Sequence, residues 1–259
     1  MTVPKPASFV MAVAAVAAVA ALPLKAAAQA TPSSALDVSQ RTARIARDVT
    51  DSLRRERDLR DVEVSVEGDV VTLRGRLATF WAKDQAVRRT LAVEGVESAV
   101  IDLEIPPAED DTVLALDVAR AIQGYTYYTV WDRIDGSVNG GVVWLSGRVT
   151  PDRDKIGDIF ERVAKVRGVQ DVQNRIRRLP LSRRDQGLRQ AIGYRVFRSE
   201  HFEQFSSVRN PPFHIIVEGG VVTLVGQVQS AVEAREMQRI VAQTQGVSGV
   251  ENQLQVAQR

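Results

Sequence analysis

Three tandem α+β units, each a three-stranded mixed sheet of order αββαβ covered by two helices, are predicted by three features of this chain. A phrase recurs at "VEGDVVTLRGRL" (Val66–Leu77), "VNGGVVWLSGRV" (Val138–Val149) and "VEGGVVTLVGQV" (Val217–Val228). A Gly-Val pair trails the closing glycine of each phrase at near-constant distance: Gly95 after Gly75, Gly168 after Gly147, Gly246 after Gly226. A helix-length amphipathic stretch fills each of those intervals, and another precedes each phrase.

The phrase reads as a β-hairpin. Val62, Val64 and Val66 alternate with Glu63, Ser65 and Glu67, and Val71 and Leu73 alternate after the turn, the period-2 pattern of a half-buried strand. The turns "EGD", "NGG" and "EGG" supply Gly68, Gly140 and Gly219, since a tight two-residue connection needs a residue that accepts positive φ. Gly75, Gly147 and Gly226 stand where the second strand hands over to a helix, and they read as structural.

The insert after each hairpin reads as a helix. Ile156, Ile159, Phe160 and Val163 form one apolar stripe, and Val232, Met237, Ile240 and Val241 form its counterpart. Gly95, Gly168 and Gly246 are expected to stop these helices as left-handed caps. A closing strand follows, for example Ala99, Ile101, Leu103 and Ile105. A helix between two strands of one sheet implies a parallel crossover. The leading helices are expected at "LDVSQRTARIARDVTDSLRRE", "DTVLALDVARAI" and "QGLRQAIGYRVFRSEHF", the first with Leu36, Ile45, Val49 and Leu53 near one stripe.

The units are expected at residues 35–106, 110–179 and 183–257, joined by the linkers "IPPAEDD" and "LPLSRRD". Domains of about 70 residues bury only about 60% of their unfolded surface. Docking between neighbours, or onto a partner, is therefore expected.

Residues 1–30 stand apart. Lys5 precedes an apolar run from Phe9 to Leu24, and "AQA" closes it at Ala28–Ala30. This is the pattern of a secretory signal peptide cut between Ala30 and Thr31. The run is shorter than the roughly 20 residues a membrane span needs, so an uncleaved anchor is the lesser alternative. The expected location is the periplasm. Removing Lys5 and Lys25 takes the formal charge from +2 to 0, with 32 basic against 32 acidic residues. That balance, together with export, argues against a nucleic-acid partner. The absence of Cys excludes disulfides and thiolate chemistry.

No catalytic constellation emerges. His201 and His214 are the only two histidines, a poor metal set without carboxylates. Glu67 and Glu218 sit beside their turns, but Asn139 takes that place in the second copy. No catalytic residue, metal, cofactor or small-molecule substrate is predicted, and the protein reads as no enzyme.

Two clusters remain as candidate contacts. Arg175, Arg177, Arg178, Arg183 and Arg184 crowd the junction of copies two and three, with Arg189 close behind and only Asp185 opposing. Strand alternation points Arg178 away from Arg175 and Arg177. Near an anionic surface a basic side chain contributes roughly 1 kcal/mol; the plainer reading is a solvated linker. Tyr125, Tyr127, Tyr128 and Trp131 form the second cluster in a chain with only 5% aromatic residues. Such residues suit a lipid or ligand contact, and equally a core or a seam between units. Trp81 reads as packing, because Val232 holds the same offset in copy three.

The arrangement resembles the BON domain family, named for bacterial osmotically inducible and nodulation proteins. The carrying residues are the V-x-G-x-V-x-L-x-G-x-V core around Val66, Gly68, Val71, Leu73 and Gly75, its two copies, and the trailing Gly95-Val96, Gly168-Val169 and Gly246-Val247. Copies two and three lengthen the approach to the hairpin, with "YTYYTVWDRIDGSV" and "SEHFEQFSSVRNPPFHIIV". The resemblance implies an α/β sandwich, an exported protein and a non-catalytic role in binding phospholipid membrane or a large envelope ligand, as in osmotic or envelope stress. An envelope protein is the alternative partner, which would make the chain a structural or chaperone-like interaction module.

Overall fold

The computed structural model describes residues 32–108 and 110–257. The expected leader and its expected cut between Ala30 and Thr31 lie outside the described residues, as does the Leu36 side chain. Three successive units share one order: helix, hairpin, helix, strand. The first is α1 (Pro32–Arg54), β1 (Glu63–Glu67), β2 (Val70–Arg76), α2 (Phe80–Leu91) and β3 (Ser98–Glu104). The second is α3 (Asp111–Gln123), β4 (Arg133–Asn139), β5 (Val142–Val149), α4 (Lys155–Ala164) and β6 (Asp171–Arg178). The third is α5 (Arg183–Val196), β7 (Phe213–Glu218), β8 (Val221–Val228), α6 (Ala231–Ala242) and β9 (Gly249–Val256). Each sheet has the hairpin pairing antiparallel and the crossover strand parallel, in sequence order.

The turns explain why the phrase repeats. In units two and three the connecting residues Gly140–Gly141 and Gly219–Gly220 all have positive φ, between 58° and 83°, which is the type I′ pattern that matches strand twist. A carboxylate from the leading helix clamps each turn. Asp111 accepts from the Gly140 and Gly141 amides at 2.7 and 3.0 Å, and Asp185 accepts from Gly219 and Gly220 at 3.0 Å each. The first unit has instead the Thr42 hydroxyl donating to the Gly68 carbonyl at 3.4 Å. Gly147 and Gly226 answer a different need. A Cβ at either would lie 2.1 Å from the Arg133 carbonyl oxygen or 2.4 Å from that of Pro212.

Helices cover one face of each sheet, and every core lies between. Ile45, Val49, Leu53, Val71 and Leu73 fill the first, and Leu114, Val118, Val143, Leu145, Ile159 and Val163 the second. In the third, Ile192, Phe213, Ile215, Leu224 and Met237 are all fully buried. The other face of the first two sheets carries the polar half of the alternation, whereas that of the third also carries buried Ile216 and Val225, beside Thr223.

Three expectations need correction. Gly95, Gly168 and Gly246 have positive φ but do not cap helices. The helices close earlier, at Ala92, Lys165 and Gln243, where the cap amide donates back into the last turn. These glycines serve the later reversal into the strand, and a Cβ at Gly95 or Gly246 would stand 3.2 Å from Ile45 or Leu188. "LPLSRRD" is only partly a linker, because Ser182 accepts from the Asp185 amide and starts α5 at Arg183. Val232 is 52% exposed, whereas Trp81 is half-buried and packs on Phe160 of unit two. The difference is positional: α2 has a following unit to lie on, and no unit lies on α6 in this way among the described residues.

Candidate functional site

The polar face of the second sheet is built by register. Arg133 on β4 lies opposite Arg148 on β5, which lies opposite Arg177 on β6, so three guanidinium groups cross the sheet in one row. One step along, Asp135, Ser146 and Arg175 form the next row. Arg133 pairs with Asp135 at 2.9 Å, and Arg148 reaches Glu218 of unit three at 3.4 Å. Arg175 and Arg177 are exposed on the outer strand and have no ion-pair partner among the described residues. Half-exposed Trp144 shares this face. With Thr223, Glu251 and Gln253 of unit three, the arginines line a cleft of about 390 Å³.

The remaining basic residues of the junction go elsewhere. Arg178 points to the helical side and pairs with Asp154 at 3.0 Å. Arg183 and Arg184 ride the first turn of α5, where Arg184 donates to the Gly246 carbonyl at 2.9 Å. Arg189 is 4% exposed and donates to the Val217 carbonyl at 2.8 Å, and burial depresses its pKa.

The aromatic run is distributed between a core and a seam. Tyr125 and Tyr128 are buried in unit two. The Tyr125 hydroxyl donates to Asp158, and burial followed by that carboxylate raises its pKa. Burial likewise raises Tyr128 to about 12, and its oxygen accepts from the Ile134 amide at 3.3 Å. Tyr127 alone is exposed, at 43%, with Arg153 over its ring. Trp131 leaves its own unit, lying against Gly193 of α5 at the edge of the third core.

That excursion is held by a buried polar knot. Asp132 is fully buried and accepts from Lys155 Nζ at 2.8 Å, from Thr150 N and Oγ1 at 2.7 and 2.9 Å, and from Thr129 N and Oγ1 at 2.9 Å. Lys155, 1% exposed, also reaches Asp152 at 3.3 Å. Burial opposes ionisation of Asp152, but the Thr150 hydroxyl and the Lys155 ammonium still lower its pKa. A buried ion pair is tolerable only when its lone pairs and protons are satisfied in this way. The knot fixes the 129–132 turn. Val130 from that turn is buried in the third core, and its carbonyl accepts from the Ile215 amide at 2.7 Å, covering the open edge of β7. His214 lies against the Tyr128 ring, 5.4 Å between centroids. Burial lowers its pKa, against the Thr129 carbonyl and the charge of Asp132.

Sequence reasoning missed Arg133, Arg148, Trp144 and Lys155. The first three carry a signal only once the hairpin register is drawn; an isolated lysine at a helix start carries none. His201 stands beside Glu200 and Phe202, while His214 faces Tyr128. Among the described residues no group of three or more His, Asp or Glu is placed to hold a metal, and no helix is long and apolar enough to cross a membrane.

No curated protein matches the chain. Among solved structures, the C-terminal domain of CdsD, the structural protein of the type III secretion system of Chlamydia trachomatis, is 12% identical, with 82% of this chain and 96% of that chain covered at a TM-score of 0.25. A second structure of CdsD is 14% identical, with 82% and 92% covered at a TM-score of 0.24. Likeness this distant carries no argument. The BON domain, by contrast, matches residues 41–106, 110–180 and 200–258, well over half of the chain. The triple hairpin, the repeated crossover and these three matches lead to one conclusion: the chain belongs to the BON domain family.

Proposed function

We propose that this is an exported, non-catalytic binding protein of the bacterial envelope that associates with anionic phospholipid surfaces from the periplasmic side. The leader pattern of residues 1–30 supports export. The observation that carries the binding reading is the pair Arg175 and Arg177: both exposed, both without an ion-pair partner among the described residues, and set beside Arg133 and Arg148. A guanidinium that lacks a carboxylate is free to bind phosphate oxygens in bidentate fashion. Each contributes roughly 1 kcal/mol near an anionic surface, together about a 30-fold gain. Such binding is weak for one molecule and strengthens when several sites engage one surface.

The test is co-sedimentation of the leader-free chain with phosphatidylglycerol-containing and with pure phosphatidylcholine vesicles. Binding to the first alone, weakened by salt and by the Arg175→Ser/Arg177→Ser double variant about 30-fold, is the expected result. No binding to either vesicle, or a double variant that binds as well as the parent, overturns the reading.

A further inference from the structure

A cleft of about 930 Å³ lies away from the arginine-bearing sheet face. It opens between units two and three, on the helical side of the seam. One wall is α5 and its C-cap, with exposed Arg183, buried Arg189 and half-buried Phe197; the other is the knotted turn with Trp131, and Leu181 stands at the rim. Its volume is that of a small-molecule site.

Three observations say what would fit. The walls are apolar in their larger part: Trp131 and Phe197 present ring surface, and Leu181, 88% exposed, lines the cleft with them. The absence of a side chain at Gly193 lets the Trp131 ring approach α5 to within 3.2 Å of a would-be Cβ, which fixes that ring as a flat floor. Carboxylates stand near the cations of the walls, since Asp185, Asp132 and Asp152 all act on Arg189, but hydrogen-bond donors are left over. Lys155 is neutralised by Asp132 and Asp152, but Arg183 has no ion-pair partner among the described residues. Arg189 is nine-tenths buried and more, gives one hydrogen bond, and its Nε has no partner. A buried guanidinium with unspent donors is costly unless an anion completes it.

We propose that this cleft binds a single-chain amphiphilic anion, its carboxylate- or phosphate-type head set against Arg189 and Arg183 and its apolar chain laid on Trp131, Phe197 and Leu181. This site is separate from the Arg175–Arg177 surface, so either stands if the other fails. It also makes the seam a ligand-bearing joint, since both units contribute walls.

The experiment uses the leader-free chain with Trp81→Phe and Trp144→Phe, which leaves Trp131 as the only tryptophan. Emission is followed during titration with dodecyl phosphate below its micelle concentration, with dodecyl maltoside of the same chain length, and with inorganic phosphate. A saturable shift with dodecyl phosphate, and at least about tenfold weaker responses to the neutral amphiphile and the bare ion, is expected. Arg189→Gln should weaken binding about tenfold. Because that residue is buried, the exposed Arg183→Ser provides a second variant that leaves folding intact, expected to weaken binding several-fold. Arg175→Ser/Arg177→Ser should leave this titration unchanged. Vesicles of phosphatidylglycerol form the final arm: the site takes the monomeric amphiphile, so a Trp131 response to vesicles but none to dodecyl phosphate overturns the proposal. Equal response to dodecyl maltoside, or indifference to both Arg183→Ser and a folded Arg189→Gln, overturns it as well.

Discussion

Between the first and second units the contact is a patch of rings and cations on two helices; between the second and third, one unit lends the other part of its core. Phe80 and Trp81 of α2 meet Phe160 of α4 edge-on at 6.4 and 6.0 Å, with Arg88 over Phe160 and Lys165 over Trp81, each at 5.6 Å. One linker bond, from the Gln170 side-chain Nε2 to the Pro106 carbonyl at 2.7 Å, completes that seam. The other seam buries Val130 in a foreign core, closes a sheet edge through Ile215, and anchors the turn in a fully buried ion pair. Contacts of the first kind are worth about 0.5–1.5 kcal/mol each and leave both units intact when lost. The second kind cannot be opened without exposing core, so units two and three form one body and unit one hangs from it.

The largest effect separating the two seams is expected at Lys155→Met. It leaves the Asp132 carboxylate buried beside hydroxyls and amides alone, at a cost of about 3–5 kcal/mol. Urea denaturation checks it; a loss below about 1 kcal/mol would mean that the knot is solvated and the joint soft. Trp81→Ala should cost about 1–2 kcal/mol and release unit one while leaving hydrogen-exchange protection in units two and three unchanged.

Acid provides a subtler probe. The pKa of His214 is depressed in the fold, so the unfolded chain binds its proton more readily. Stability from this residue is present above about pH 6.5 and is lost as pH falls below it. Tyr128 and the charges of Asp132, Arg133 and Asp135 surround the ring. The parent should therefore lose more stability between pH 7.5 and 5 than His214→Asn does, and the excess should register in units two and three alone. The smallest effect is expected for Arg148→Ala, whose half-exposed pair with Glu218 contributes at most about 1 kcal/mol.

How far this comparison is readable in the amino-acid sequence depends on the range of the interactions. Hairpins, crossover helices and family were readable because alternation, turn glycines and the Gly-Val interval are local and occur three times. Helix ends were less so. Gly168 and Gly246 trail apolar stripes and so read as caps, yet Lys165 and Gln243 already close those helices and the glycines serve a later turn. The arginine face was half visible. Arg175 and Arg177 sit in a basic run, but Arg133 and Arg148 join them only through strand register, and Arg183 and Arg184 share the run without sharing the surface. For Trp131 the sequence offers a core, a seam or a ligand contact without choosing, because its place at the seam involves Gly193, 62 residues further along the chain and on another unit.

The shared core of units two and three is tested most directly by amide hydrogen exchange at Ile215 in the leader-free chain. This amide lies on the outer edge of its sheet and is covered only by the Val130 carbonyl from the neighbouring unit. If the two units form one body, it exchanges as slowly as the Leu224 amide in the centre of the sheet. If it exchanges at the rate of an open strand edge while Leu224 stays protected, the seam opens freely and the account of a common core is wrong.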